Sequence, residues 1–280
     1  MREEQSTPMS RVGFVGAGRM GAPMVRRLVE AGHDVRALGR SVEKRRAVSE
    51  LGARPVTDLA DIGAEADVVI VCVFTDEQVQ QVCRDSVLLS TMQSGASIVI
   101  HTTGSPRTAE AIAAEAAGHD IGVVDAPVSG GPHDIAAGQV TLFVGGADDV
   151  VEQVRPVLAG YGDPILHVGP VGAGQGVKLI NNTLFAAQIG LLHEAVRLGK
   201  HLGVDEKQLL DAIGHGSAAS RVANIVGARG SVDAFIDMVG EFVGKDVAVV
   251  RKVAAELGGD LGVLDDAINA GSKASGQRNC

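Results

Sequence analysis

Aromatic residues are scarce in this chain, at 2% of 280 residues, with no tryptophan and one tyrosine. Base-stacking platforms need aromatic faces, so a binder of single-stranded nucleic acid is excluded on composition. Positive charge is also short: 25 Lys and Arg stand against 34 Asp and Glu, for a formal net charge of −9. A nucleic-acid footprint needs a basic stripe, and the run Lys44-Arg45-Arg46 reads as a solvated helix face. The three cysteines, Cys72, Cys83 and Cys280, form no CxxC pair and leave an odd count. That excludes a disulfide framework, implies a reducing compartment, and leaves Cys72, inside an apolar run, as a buried inert thiol. No run of 18 apolar residues occurs, and residues 1–10 are polar, without the apolar stretch of a secretory leader. The expectation is a soluble cytoplasmic protein with neither membrane nor nucleic acid as partner. The eight histidines show no His-x-x-x-His spacing, so no metal is expected. His101 and His133 are the two that fall near motifs.

What the chain does have is aliphatic. With 45% hydrophobic residues and almost no aromatics, the core must be built from Val, Ile, Leu and Ala. The length suits one large or two moderate domains. Strand-like runs at 12–15, 34–38, 68–74, 97–102, 122–127, 140–145 and 165–168 alternate with helical stretches at 22–31, 42–51, 76–88, 107–117 and 148–158. Such alternation means a parallel, doubly wound sheet covered on both faces, and the late strands, without clear intervening helices, can pair antiparallel at one edge. Beyond Gly176 only helices follow. Val177, Ile180, Leu184, Ala187, Leu191, Ala195, Leu198 and Leu202 recur at three- and four-residue steps, describing one helix of about 25 residues that reads as an interdomain spine or a subunit contact. Further helices are expected at 205–213, 232–255 and 260–270, with a frayed tail over 271–280. The fold class is therefore α/β, a Rossmann-type doubly wound sheet followed by an all-α C-terminal domain with a long interdomain helix. The boundary is expected in the glycine-rich stretch 169–174, giving domains 1–172 and 173–280.

The most informative segment is Val12-Gly-Phe-Val-Gly-Ala-Gly-Arg-Met-Gly21, a short apolar run followed by Gly-x-Gly-x-x-Gly and a helix. Gly16 permits the tight turn, Gly18 lets backbone amides approach a pyrophosphate, and Gly21 lets the helix pack on the strand. The helix dipole then favours phosphate charge. Thirty-seven glycines make a bare triplet weak; the preceding strand, Pro23 in the first helical turn and Gly32-His33 closing the helix give it meaning. Gly16, Ala17, Gly18, Arg19, Met20 and Gly21 are thus the candidate cofactor cradle. At the end of the second strand an NAD-binding fold commonly carries an acid for the ribose 2′-OH, whereas here Gly39-Arg40-Ser41 stands. Arg40 can pair with a 2′-phosphate and Ser41 can donate to it, which favours NADP, although an Arg laid over the adenine suits NAD as well.

Asp125-Ala-Pro-Val-Ser-Gly-Gly131 ends a strand in a hydroxyl and two glycines, a nest suited to a carboxylate or simply a loop. Lys178 and Asn182 lie four apart and share a helix face. A helical lysine is usually a solvated charge, and Lys245-Asp246 reads by itself as an exposed ion pair.

Taken in order, Gly13-Phe-Val-Gly-Ala-Gly-Arg-Met-Gly-Ala-Pro-Met24, Asp125 to Gly131, Gly172-Ala-Gly-Gln-Gly-Val-Lys-Leu-Ile-Asn-Asn182 and Lys245-Asp246 resemble the β-hydroxyacid dehydrogenases, the 3-hydroxyisobutyrate dehydrogenase-like family. The resemblance spans most of the chain. It implies an NAD(P)-dependent enzyme in which Lys178 is the general acid/base, Ser129, Gly130, Gly131 and Asn182 bind a small hydroxyacid or aldehyde acid, and Lys245 contacts cofactor or substrate. Val73, Phe74 and Thr103 then fall on the nicotinamide side. Val73-Phe74 replaces the family's Leu-Pro, and Asp134-Ile135 its usual Gly-Ala, so the pocket departs from the pattern. Imine reductases share the fold but typically lack the lysine; a non-catalytic nucleotide-binding regulator is the alternative of another class. A homodimer or homotetramer is expected from the long apolar-striped helix.

Overall fold

The computed structural model describes residues 9–276, and the chain separates into two compact units, Met1–Lys178 and Leu179–Cys280. In the first unit, strands β1 (Arg11–Val15), β2 (Asp34–Leu38), β3 (Arg54–Val56), β4 (Val68–Val71), β5 (Ser97–Ile100), β6 (Gly122–Asp125), β7 (Val128–Ser129), β8 (Val140–Gly145) and β9 (Gly162–Gly169) form one sheet. The order is β3-β2-β1-β4-β5-β6-β8-β7, with β9 on β8. The run from β3 to β6 is parallel; β8 is antiparallel to β6 and β7 and parallel to β9.

Alternation within the strands explains why both faces are covered. Val12, Phe14, Val68, Ile70, Val99 and Val124 point into one apolar cluster, and Val15, Val69, Val71, Ile98, Ile100 and Val123 into the other. Helices α1 (Gly21–Glu30), α2 (Val42–Glu50) and α8 (Asp148–Leu158) supply Leu28, Val48 and Val154 to the first. The second receives Ile62, Val79, Leu88 and Ile112 from α3 (Leu59–Gly63), α4 (Asp76–Cys83), α5 (Leu88–Thr91) and α6 (Pro106–Ala116). A short helix α7 (Pro132–Ala136) follows β7. β3, α3 and α7 are three to five residues long and carry too little periodicity to be read in advance.

Two expected elements are broken by side chains. The apolar run 68–74 leaves the sheet after Val71, because the Thr102 hydroxyl accepts from Val73 N at 3.0 Å and donates to Val73 O at 2.9 Å. The helix expected over 76–88 divides in two: Ser86 Oγ donates to Val82 O at 2.6 Å and accepts from Leu88 N, offering the backbone a partner other than the next helical turn.

The second unit is helical among the described residues. It takes up most of α9 (Ala173–His201), then α10 (Glu206–His215), α11 (Arg221–Arg229), α12 (Val232–Glu256) and α13 (Val263–Gly276). On α9 the buried side chains include Leu179, Ala186, Ala187, Ile189, Leu192 and Val196, whereas Ile180, Leu184, Leu191 and Leu198, and Leu202 just past its end, are exposed. The large apolar residues of the stripe thus lie mainly on this unit's exposed surface, which suits the reading as a subunit contact better than that as a spine. α13 runs as far as Gly276. Upstream of residue 271, Arg251 of α12 donates to Asp265 and Asn269 of α13, and Gly271 packs against Gly190 of α9. Residues 277–280 lie outside the described ones.

Candidate active site

The parallel register puts Val15, Val71, Ile100 and Asp125 level across β1, β4, β5 and β6. The segments that leave these ends, and that of β2, therefore emerge along one edge of the sheet: Gly16 to Gly21, Arg40-Ser41, Val73-Phe74, Thr103, and the loop to Ser129. β1 lies between β2 and β4, so consecutive connections diverge there, which is where open α/β sheets bind ligands.

At this divergence Gly16 has φ +103°, and a Cβ on it would meet the Cys72 carbonyl carbon at 2.6 Å. A Cβ at Gly21 would lie 2.8 Å from the Phe14 ring. The third glycine differs in kind: a Cβ at Gly18 meets nothing within 4 Å. Two glycines thus satisfy the protein's own packing, and the third faces open space. Among the described residues no side chain caps the start of α1, which suits that positive helix end to an anion. These features fit a dinucleotide pyrophosphate.

Arg40 is exposed at the end of β2. Ser41 caps α2, its Oγ accepting from Lys44 N at 3.2 Å, and its hydroxyl holds the neighbouring Glu43 carboxyl below the usual range. Ser41 is thus already engaged, leaving Arg40 as the better placed of the two toward an anion. Phe74 is 55% exposed at the mouth of β4, and Thr103 is partly buried.

Beyond β6, β7 carries Ser129 alongside Thr141, and Gly130, with φ +139°, turns the chain into α7. Here Asp134 intervenes. Its Oδ2 accepts from Gly131 N at 2.7 Å and would lie 2.8 Å from a Cβ on Gly130, so one amide of the expected anion nest is answered from within the chain. His133 is exposed and has no part in this.

Lys178 stands in the second turn of α9, with Asn182 one turn on. Within the second unit Asn182 is 8% exposed and donates from Nδ2 to Asp246 Oδ2 at 2.8 Å, bringing together α9 and α12 across 64 residues. Lys245, next to Asp246 on α12, is partly buried.

Beneath this edge lie buried polar groups, of which sequence reasoning named His101 and missed the partners of Asp125 and Gln175. Asp125 is fully buried; its Oδ1 accepts from Gly172 N at 2.6 Å and its Oδ2 from Gln175 N at 2.7 Å. Burial pushes its carboxyl up to about 6, against the pull of these two amides. His101 is also buried and held down to about 4 for that reason. Since the Ala126 carbonyl can only accept, His101 Nδ1 carries the proton shared with it at 2.5 Å, and Nε2 accepts from the Tyr161 hydroxyl at 2.7 Å. The signals in sequence were His101 close to a motif, the strand-ending Asp125 and the Gln175 inside the Gly172–Gly176 run.

Residues 11–169 match the family described as the NAD binding domain of 6-phosphogluconate dehydrogenase, and residues 172–275 that described as NAD-binding of NADP-dependent 3-hydroxyisobutyrate dehydrogenase. An uncharacterized oxidoreductase of Shewanella frigidimarina is 35% identical over 76% of this chain and 74% of its own. A probable mitochondrial 3-hydroxyisobutyrate dehydrogenase of Dictyostelium discoideum is 32% identical over 76% of this chain and 67% of its own. Among solved structures, the 3-hydroxyisobutyrate dehydrogenase of Mycobacterium tuberculosis, determined with L-serine, superposes with TM-score 0.85 at 28% identity, covering 96% of this chain and 94% of that one.

Proposed function

The chain belongs to the β-hydroxyacid dehydrogenase family of NAD(P)-dependent oxidoreductases, and from that premise we propose that it moves hydride between NADP and a small β-hydroxyacid or the corresponding aldehyde acid. The observation that carries this reading is the sheet edge, where the Gly18 opening, Arg40 and Thr103 are set in a row. Bound nicotinamide supplies or accepts the hydride. The chain's own residues do the rest. Gly16, Ala17, Gly18, Arg19, Met20 and Gly21 cradle the pyrophosphate. Arg40, with Ser41 as a lesser contributor, meets the 2′-phosphate, and Val73, Phe74 and Thr103 border the nicotinamide side.

In reduction, Lys178 as ammonium protonates the carbonyl oxygen; in oxidation, neutral Lys178 takes the hydroxyl proton. Ser129 and Gly130, with Gly131 as far as Asp134 permits, hold the substrate carboxylate. Asn182, fixed by Asp246, orients the substrate, and Lys245 contacts cofactor or substrate. A turnover screen with NADPH and NADH against 3-hydroxyisobutyrate, small aldehyde acids and cyclic imines tests the reading. NADPH-linked conversion of an acid supports it. Conversion of imines alone, or binding of NADPH with no turnover of any member, contradicts it.

A further inference from the structure

Asp125 and Gln175 both lie beneath the sheet edge, 0% and 1% exposed. Asp125 answers the first free amides of α9 from a neighbouring strand end, acting as a remote helix cap whose charge also suits the helix dipole. Room for it is made by two glycines: a Cβ at Gly145 would lie 2.5 Å from Asp125 Oδ1, and one at Gly174 2.8 Å from Oδ2. Gln175 then reaches the other way. Its Oε1 accepts from Gly104 N at 3.0 Å and its Nε2 donates to Thr102 O at 2.8 Å, so its amide brackets Thr103.

We propose that Asp125 and Gln175 are positioning residues for the reaction: a buried clasp that fixes the start of α9, and with it Lys178, to the loop that carries Thr103. The clasp rests on the assignment of Lys178 as the proton carrier. Lys178 is three residues, less than one turn, beyond Gln175, so a shift of the α9 start is passed to the lysine through rigid helix. Misplacement of a reacting group by about 1 Å costs on the order of a hundredfold in rate. Every bond in the clasp is buried and has no water to replace it.

Steady-state kinetics of Gln175→Leu, Asp125→Asn and Gln175→Glu, beside the parent and Lys178→Ala, test this with 3-hydroxyisobutyrate or whichever screened acid the parent prefers. Gln175→Leu keeps the volume and removes both side-chain bonds. It is expected to lower kcat at least tenfold, while KM and the NADPH dissociation constant stay within about threefold. Gln175→Glu adds a readout that a merely structural role would not move. Protonated, the introduced carboxyl reproduces the donor and acceptor of the amide; ionised, it repels the Thr102 carbonyl. Its kcat relative to the parent should therefore fall as pH rises through its ionisation.

Hydrogen exchange of the cofactor-free protein reads the clasp without turnover: Gln175→Leu should speed exchange in both 101–105 and 172–178. Parental kcat in Gln175→Leu and Asp125→Asn beside a hundredfold loss in Lys178→Ala would overturn the clasp and leave the lysine standing. Parental turnover in Lys178→Ala would remove the lysine assignment itself. Equal loss of kcat and cofactor affinity in the clasp variants, or unchanged exchange in both segments, would also overturn it.

Discussion

At the scale of single residues, Arg40 and Asp134 make the sharpest claims. Arg40 occupies the position where an acid would favour NAD, and it is exposed, so solvent screening limits its pairing to about 1 kcal/mol. Arg40→Ala is expected to weaken NADPH roughly three- to tenfold and leave NADH unchanged, as measured by calorimetry with each cofactor. Asp134 takes the Gly131 amide and sets a negative charge beside the loop assigned to the substrate carboxylate. Asp134→Ala frees that amide, a hydrogen bond worth about 1 kcal/mol. It should lower KM for acid substrates about fivefold in initial-rate measurements, with no change for a methyl ester of the same acid. Gly16 and Gly21 were legible because each answers a local packing requirement of the strand–turn–helix. Asp125 and Gln175 were not, because their partners lie 47, 50, 71 and 73 residues away in sequence.

At the scale of elements, long periodic segments were legible and short or interrupted ones were not. β2, β8 and α8 run as expected because their apolar patterns fill the whole element. β4 ends early because Thr102 claims the Val73 backbone, and α4 ends early because Ser86 turns back on Val82. Neither hydroxyl announces its choice of partner in sequence. The longest helix gave the subtler lesson. The periodicity of α9 is real, but periodicity identifies faces without saying which one turns inward. The bulkiest stripe, from Ile180 to Leu202, faces outward, and smaller residues such as Ala186, Ala187 and Gly190 form much of the inner face. At Gly190 a Cβ would lie within 2.9 Å of the Ala267 backbone, so close helix approach demands small residues there.

The whole molecule carries the consequence of that outward stripe. Ile180, Leu191, Leu198 and Leu202 are each more than half exposed, at 63, 58, 56 and 71%. Exposed apolar side chains along this helix are candidates for burial against a second copy of the chain. Light scattering at micromolar concentration is expected to give at least twice the 28.7 kDa chain mass, and Leu191→Glu with Leu198→Glu to shift the population toward monomer. A monomeric parent at all concentrations would contradict this.

Lys178 is the residue to which the proposed reaction assigns the proton transfer. The most direct measurement is the steady-state rate of Lys178→Ala on an acid that the parent turns over, with NADPH binding followed by fluorescence titration as a check on folding. A general acid contributes about 100- to 10,000-fold. Lys178→Ala is therefore expected to lose turnover of that order with cofactor affinity within about twofold of the parent. Retention of most of the parental rate by Lys178→Ala would contradict it.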